Sequence, residues 1–544
     1  PPLICPTPSP KLGNQNTPLS SQPPPKHQLF GTSGAMEPSP ASARPHVLLL
    51  CSPCMGHLIP FAELARQLVA DHGVAATLLF AAATDAPSEQ YTALAASVPD
   101  GVDLVALPAP PADALPPSTP VRERVVHAAL STVPHVRGIA RSLASSAPLA
   151  ALVVDMASVP ARDVATELGV PCYMFFTSPW MLLSLFLHLP ELDAGLVGEY
   201  RDATEPIRLP GCVPIHAREL PGAMLADRSS ETYAGFLSLA KDAARVDGIL
   251  VNTFRELEPA VGQGGTNCVK GMPVYAVGPL VWTRPVAVGV NREPEHARLI
   301  TWLDQQARGS VVFLSFGSGG TLTWRQTTEL ALALEATGRP FIWAAKRPHE
   351  DTPDGAFFGT GRGGDDDDDP LGFLPRGFVK RTAGVGLVLL SWAPQTAILA
   401  HAAVGCFVTH CGWNSSLESI LNGVPMVAWP LYAEQKMNAA MLETHAGVAA
   451  RVNAAGPANG DGFVCKEEIV SVIRRVMDGD EATMMRRRVC ELRDRATHAL
   501  AMDGSSTLAL AKSRMCGSLL ATKNKGKANK NIFASRRSPS LLLK

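Results

Sequence analysis

His410, Ser415, Ser416 and Glu418 crowd the junction between an apolar run, CFVTH, and a helical segment, LESILNG, joined by the glycine-bearing turn CGWNSS. A helix start carries unpartnered backbone N–H groups and the positive end of the helix dipole. An imidazole and two hydroxyls beside it therefore make a site for phosphate. Glu418, in the first turn expected for that helix, can accept hydrogen bonds from a ribose, and Glu434 with Gln435 can do the same for sugar hydroxyls. A cap alone needs one polar residue, whereas residues 392–435 supply a series of them. A nucleotide carrying a sugar suits this order. The alternative is a plain βαβ unit whose polar residues only cap.

A second reactive group lies nearer the N-terminus. The run HVLLLC leads into the turn SPCMGHLIP and places His57 where a strand hands over to a helix. That carboxyl edge is where ligands sit in open α/β sheets. A neutral hydroxyl is a weak nucleophile and needs a base, and imidazole, with an ordinary pKa of about 6.5, suits the task. Asp155 ends the apolar run ALVVD, so it is expected at the same edge, holding the far nitrogen of His57. Helix capping is the alternative role for Asp155, and its rival Asp163 falls inside the following helix. Cys51 and Cys54 have CxxC spacing between strand and helix, which leaves a thiol oxidoreductase as a reading from another class. A non-catalytic protein that merely binds the nucleotide sugar is a third, and retention of His57 and Asp155 argues against it.

The elements that must position these groups alternate. HVLLLC, ATLLFAA, ALVVD and CYMFF read as buried strands, and FAELARQLVADHG as a helix ending at Gly73. A second set begins at VVFLSFGS, passes through the helix TWRQTTELALALEATG and FIWAA, and continues through LVLLSWAP, CFVTH and MVAWP. Two such sets predict an α/β fold of two Rossmann-like, doubly wound domains facing across a cleft. The expected boundaries are a disordered Pro-rich extension over 1–43, a first domain over 44–280, a linker over 281–300 and a second domain over 301–495. A helix over 496–520 and a disordered basic tail over 521–544 complete the chain.

Composition limits the partners. A chain of 544 residues, 46% hydrophobic and 18% charged, suits two sizeable cores. A net charge of −1 argues against nucleic acid or anionic membrane as a general partner. Eleven scattered cysteines read as reduced thiols, and no secretory signal is visible, so a cytoplasmic monomer is expected. The uncharged stretch PCYMFFTSPWMLLSLFLHLP is split by Pro171 and Pro179 and reads as strand plus helix, not as an integral membrane segment. The acidic run Asp365–Asp369 reads as an exposed loop, and no metal-ligand cluster is apparent.

From about Arg44 to about Leu510 the sequence resembles the plant family 1 UDP-glycosyltransferases. Residues 392–435 match that family's donor signature, and His57 its PxxGH pattern (Pro53, Gly56, His57). LVVDMASVPARDVA, LPGCVPI, GILVNTFRELE, VGPLV, FLSFGSGGTLT and FLPRGF look most like the branch acting on hydroquinone, monolignols and related small phenols. The resemblance implies the GT-B fold, with a terminal helix returning to the first domain, and a catalytic dyad of His57 and Asp155. It implies that Trp392 stacks on uracil, that the Ala393 backbone reads the base edge, and that Gln395 and Glu418 hold the ribose. Ser318, His410, Asn414 and Ser415 would hold the diphosphate, and Trp413, Glu434 and Gln435 the sugar, with Gln435 favouring glucose. Met156, Trp180 and Tyr432 are candidates for the acceptor pocket. The activity implied is inverting transfer of glucose from UDP-glucose to a small phenolic hydroxyl, with no cofactor and no metal; flavonoids or other specialised metabolites are the alternative acceptors. The chain departs from the branch at Ala157, where an aromatic is usual, so a roomier acceptor pocket is expected near the base.

Overall fold

A computed structural model describes residues 44–513, apart from 83–93, 96–97, 99, 112–113, 117–118, 261–267, 270, 283–292, 351–352, 355–368, 391–392 and 454–461. The expected extension over 1–43, the tail over 521–544 and all of the acidic run but Asp369 lie outside the described residues.

Fourteen strands among the described residues form two sheets. The first contains β1 (His46–Cys51), β2 (Ala75–Ala81), β3 (Val102–Leu107), β4 (Leu149–Val154), β5 (Cys172–Phe176), β6 (Gly248–Val251), β7 (Cys268–Val269) and β8 (Met272–Ala276). Their order is β3-β2-β1-β4-β5-β6-β8-β7, parallel except for the β7–β8 pair. The second contains β9 (Val311–Ser315), β10 (Phe341–Ala344), β11 (Gly386–Leu389), β12 (Val404–Thr409), β13 (Met426–Ala428) and β14 (Ala449–Arg451). It is parallel throughout, in the order β11-β10-β9-β12-β13-β14. Both sheets therefore reverse direction beside their first strand, between β1 and β4 and between β9 and β12. Those switch points are where open α/β sheets leave a crevice outside the strand ends.

The strands form because helices cover both faces. Every residue of β1, β5, β9 and β12 is buried, which explains their unbroken apolar runs. Phe313 on β9 and Phe407 on β12 stack with ring centroids 5.0 Å apart, tying the two strands of the second switch point together, a contact worth about 0.5–1.5 kcal/mol.

Nine helices matter for the site: α1 (Met55–His72), α2 (Trp180–Gly195), α3 (Glu293–Asp304), α4 (Trp324–Thr337), α5 (Gln395–Ala400), α6 (Trp413–Leu421), α7 (Gln435–Thr444), α8 (Gly479–Ala499) and α9 (Ser505–Lys512). α1 ends at Gly73 and α4 at Gly338, both left-handed caps with φ of +64° and +62°. The segment WMLLSLFLHLP belongs to α2, and no helix among the described residues is long and apolar enough to cross a membrane.

Three boundaries differ from expectation. The linker stops short of residue 300, because α3 already runs from Glu293. α6 begins at Trp413 and not at Leu417, so Glu418 sits in its second turn. The terminal segment is two pieces: α8 continues to Ala499, and the short α9 starts only after a break at residues 500–504. α9 lies against the first sheet, where Leu510 is buried in the core beneath α1 and Ser506 Oγ donates to the Gly278 carbonyl at 2.5 Å.

Candidate active site

His57 stands in the first turn of α1, and Asp155 directly follows β4. Leu50 pairs with Val154 across β1 and β4, so the residues just beyond both strands leave the sheet side by side. His57 Nδ1 lies 2.7 Å from Asp155 Oδ2. Ser52, which sequence reasoning missed, completes the group. Its backbone N–H donates to the same carboxylate oxygen at 2.7 Å and its hydroxyl at 2.5 Å, with Oγ 3.1 Å from His57 Nδ1. The other oxygen, Oδ1, accepts from the Ser158 N–H at 2.9 Å, so Asp155 caps the following turn as well as holding the histidine. Asp163 is exposed on the helix Arg162–Leu168.

Asp155 is fully buried, and the His57 side chain is 25% exposed. Burial disfavours charge on both. For Asp155 the bonds from His57 and Ser52 outweigh burial and hold the carboxyl below its usual range. For His57 burial pulls downward, but Asp155 and the charge of Glu434 prevail and raise it above its ordinary value. With Nδ1 committed to Asp155, Nε2 is the nitrogen left to take a proton.

The second half of the site lies at the ends of β9 and β12. Gly412 is the N-cap of α6 and supplies no side-chain cap, leaving the first backbone N–H groups of the helix open. Buried beside them, His410 Nδ1 and Asn414 Oδ1 have no hydrogen-bond partner. Burial, with the nearby Lys346, pushes the His410 pKa down to about 3, so this imidazole is neutral. The open amide donors of α6 beside a neutral imidazole fit an oxyanion such as a diphosphate, whereas Asn414 Oδ1 can only accept and suits a hydroxyl. Ser318 sits in the turn after β9, and Ala393 is buried ahead of α5. Gln395 Nε2 donates to Glu418 Oε2 at 2.6 Å and to Ser415 Oγ at 2.9 Å, gathering three of the expected residues. Burial raises the Glu418 carboxyl to about 7 and Gln395 restrains that rise. Trp392 lies outside the described residues.

Some side chains are placed otherwise than expected. Ser416 is fully buried and its hydroxyl donates to the Gly412 carbonyl at 3.1 Å, which leaves no proton on it for a phosphate. The Trp413 indole is 3% exposed and its N–H is spent on the Asn252 carbonyl at 2.6 Å, so only its backbone remains for a ligand. Gln435 turns its carboxamide oxygen to the N–H groups of Leu431 and Tyr432, and any sugar contact falls to its nitrogen.

Asn414 and Glu434 bridge to the first half. Asn414 Nδ2 donates to the Gly56 carbonyl at 2.9 Å, beside His57, and Ser178 Oγ donates to Glu434 Oε1 at 3.2 Å. Arg451, held by Glu443 of its own half at 2.6 Å, pairs with Glu219 of the first half at 2.9 Å, a further tie between the halves. Met156 is half-buried against the first core, Ala157 beside it is buried, and Trp180 is buried with its indole nitrogen unpartnered. Tyr432 is half-buried, and its hydroxyl is pushed up by burial and the charges of Asp354 and Glu434.

Residues 288–485 match the family described as UDP-glucoronosyl and UDP-glucosyl transferase. The hydroquinone glucosyltransferase of Rauvolfia serpentina is 41% identical over 469 residues, 86% of this chain and 97% of that protein. The chain belongs to this family. It falls with the plant family 1 enzymes near the hydroquinone and monolignol branch: UDP-glycosyltransferase 72B1 of Arabidopsis thaliana is 40% identical over 479 residues, covering 86% and 95% of the two chains. The structure of Phytolacca americana UGT2 complexed with UDP-2fluoro-glucose and pterostilbene matches with a TM-score of 0.76 and 38% identity, covering 87% of this chain and 99% of that one. The two parallel sheets are thus the two domains of a GT-B fold, and the protein is a UDP-glycosyltransferase.

That membership leaves the CxxC reading without a role, and the chemistry agrees. Burial, followed by the Asp155 charge, pushes the Cys51 thiol well up and the Cys54 thiol to about 12, the reverse of a reactive thiolate. Cys54→Ala is expected to leave the rate of UDP release unchanged, measured beside the parent enzyme with and without reductant; a collapse of that rate would reinstate the thiol.

Proposed function

We propose that this enzyme transfers glucose from UDP-glucose to the hydroxyl of a small phenol, with inversion, and that it needs no metal or cofactor. The observation that carries the proposal is the His57–Asp155 pair beside the donor half. A base with its inner nitrogen clamped by a buried carboxylate stands one residue from Gly56, whose carbonyl Asn414 of the donor half reaches. His57 Nε2 takes the proton of the phenol, whose oxygen attacks the anomeric carbon from the face opposite UDP. The bond from that carbon to the diphosphate oxygen breaks and its electron pair leaves with UDP. The open amides of α6 and His410 meet the developing charge, the role of fixed donors where charge appears. Asp155 stabilises the imidazolium formed midway.

A relative named for hydroquinone, and a neighbour bound to the phenol pterostilbene, support a phenolic acceptor. Larger acceptors such as flavonoids form a second reading, favoured by the small side chain of Ala157 two residues after Asp155 and by the Manihot esculenta relative named anthocyanidin 3-O-glucosyltransferase 5, 38% identical. Incubation with UDP-glucose and a panel of hydroquinone, coniferyl alcohol, vanillin, flavonols and chloroanilines tests both. UDP release with hydroquinone or the monolignol, and a β-linked product by NMR, is the expected result. Release only with flavonols would transfer the assignment to the second reading, and tight UDP binding without release would sink both.

A further inference from the structure

Lys346 follows β10 at the carboxyl edge of the second sheet, beside the turn that leaves β9. Its ammonium donates to the Gly317 carbonyl at 2.5 Å and to the Ser318 carbonyl. Among the described residues no carboxylate pairs with it, and burial alone draws its pKa down to about 8. A half-buried cation held only by carbonyl dipoles is incompletely compensated.

The two carbonyls have a consequence on their far side. In a trans peptide the C=O of one residue and the N–H of the next point in opposite directions. Turning the carbonyls of Gly317 and Ser318 toward Lys346 therefore turns the N–H groups of Ser318 and Gly319 away from it, side by side. Successive amides presented this way form a concavity for anions. Gly317 has φ +74°, a conformation glycine accepts freely, and a Cβ there would overlap the ring of His410, so the turn packs directly on the imidazole. The same ring carries the buried, unpartnered Nδ1, and a Cβ on Gly412, the cap of α6, would also strike it.

We propose that Lys346 is the positioning residue of the diphosphate site: through the Gly317–Ser318 carbonyls it fixes the amides of Ser318 and Gly319 toward the donor, and it supplies a positive charge behind them. This inference rests on the UDP-sugar reading. The test compares inhibition constants of UDP and of uridine for the parent enzyme, Lys346→Met and Lys346→Arg. Loss of a charged hydrogen-bonding group is expected to weaken UDP by about tenfold or more in Lys346→Met, with uridine within about twofold and UDP largely restored in Lys346→Arg. Equal weakening of UDP and uridine would mean local collapse, and an unchanged UDP constant would mean no role; either overturns the proposal. Should Lys346→Met fail to fold, Lys346→Gln carries the same comparison. A parent enzyme that does not bind UDP would instead remove the donor reading, and this inference with it.

Discussion

Replacing His57 by alanine is expected to lower the rate of UDP release by about 10²–10⁴-fold, the usual contribution of a positioned general base, while UDP affinity stays near that of the parent. The separation follows from the architecture. His57 belongs to α1 of the first sheet, whereas the donor groups stand at the ends of β9 and β12 and on α6. Initial rates at saturating UDP-glucose, with UDP inhibition measured in parallel, check it. A variant that retains the parent rate would remove His57 from the chemistry. The pH profile gives a further check. A general base works in its neutral form, so the rate must rise with pH as His57 loses its proton. Asp155 and Glu434 together outweigh burial and raise that proton's pKa, which puts the ascending limb above the ordinary histidine value of about 6.5. A limb below that value would contradict the contacts seen.

Much of this arrangement was legible in the sequence because local signals and tertiary packing agree. Buried parallel strands must be apolar on both faces, so HVLLLC and CYMFF announced β1 and β5 to the residue, while VVFLSFGS took in β9 and ran three residues past its end. Gly73 announced a helix end because a left-handed cap favours glycine, and Gly338 ends α4 for the same reason. The failures have physical causes too. The start of α6 lies earlier than the sequence indicates because Asn414, Ser415 and Ser416 favour caps and turns, whereas the folded segment is helical from Trp413, whose indole bonds to Asn252 of the other domain. Ser52 was invisible because its partner lies 103 residues away and meets it only through the β1–β4 register. Lys346 carried one usable signal, a cation just past the carboxyl end of a buried strand, and nothing local distinguished it from the neighbouring Arg347 or said that it would face two carbonyls. The break between α8 and α9 depends on a glycine: Gly504 lies so close to the His498 and Ala499 carbonyls that a side chain would not fit.

The other large effect is expected from Asp155→Asn, and its cause is a hydrogen-bond count. Oδ2 accepts from the Ser52 N–H, the Ser52 hydroxyl and His57, and Oδ1 accepts from the Ser158 N–H. An asparagine amide has one acceptor end and one donor end. Whichever way it is placed, its NH₂ faces a backbone N–H, of Ser52 or of Ser158, in a fully buried position. The mismatch should destabilise the fold by about 1–3 kcal/mol, read as a lower midpoint of urea unfolding. If the NH₂ takes the Oδ2 side, His57 must also change tautomer to accept from it, which places the proton on Nε2 and disables the base. If it takes the Oδ1 side, the tautomer survives but the charge that stabilises the imidazolium is gone. Both lower the rate, by about 10²–10⁴-fold if the pair acts as one unit. Residues acting as a unit are not additive, so His57→Ala combined with Asp155→Asn should be no slower than His57→Ala alone. A double variant slower by the product of the two single effects would show that Asp155 serves the reaction by a route that does not pass through His57.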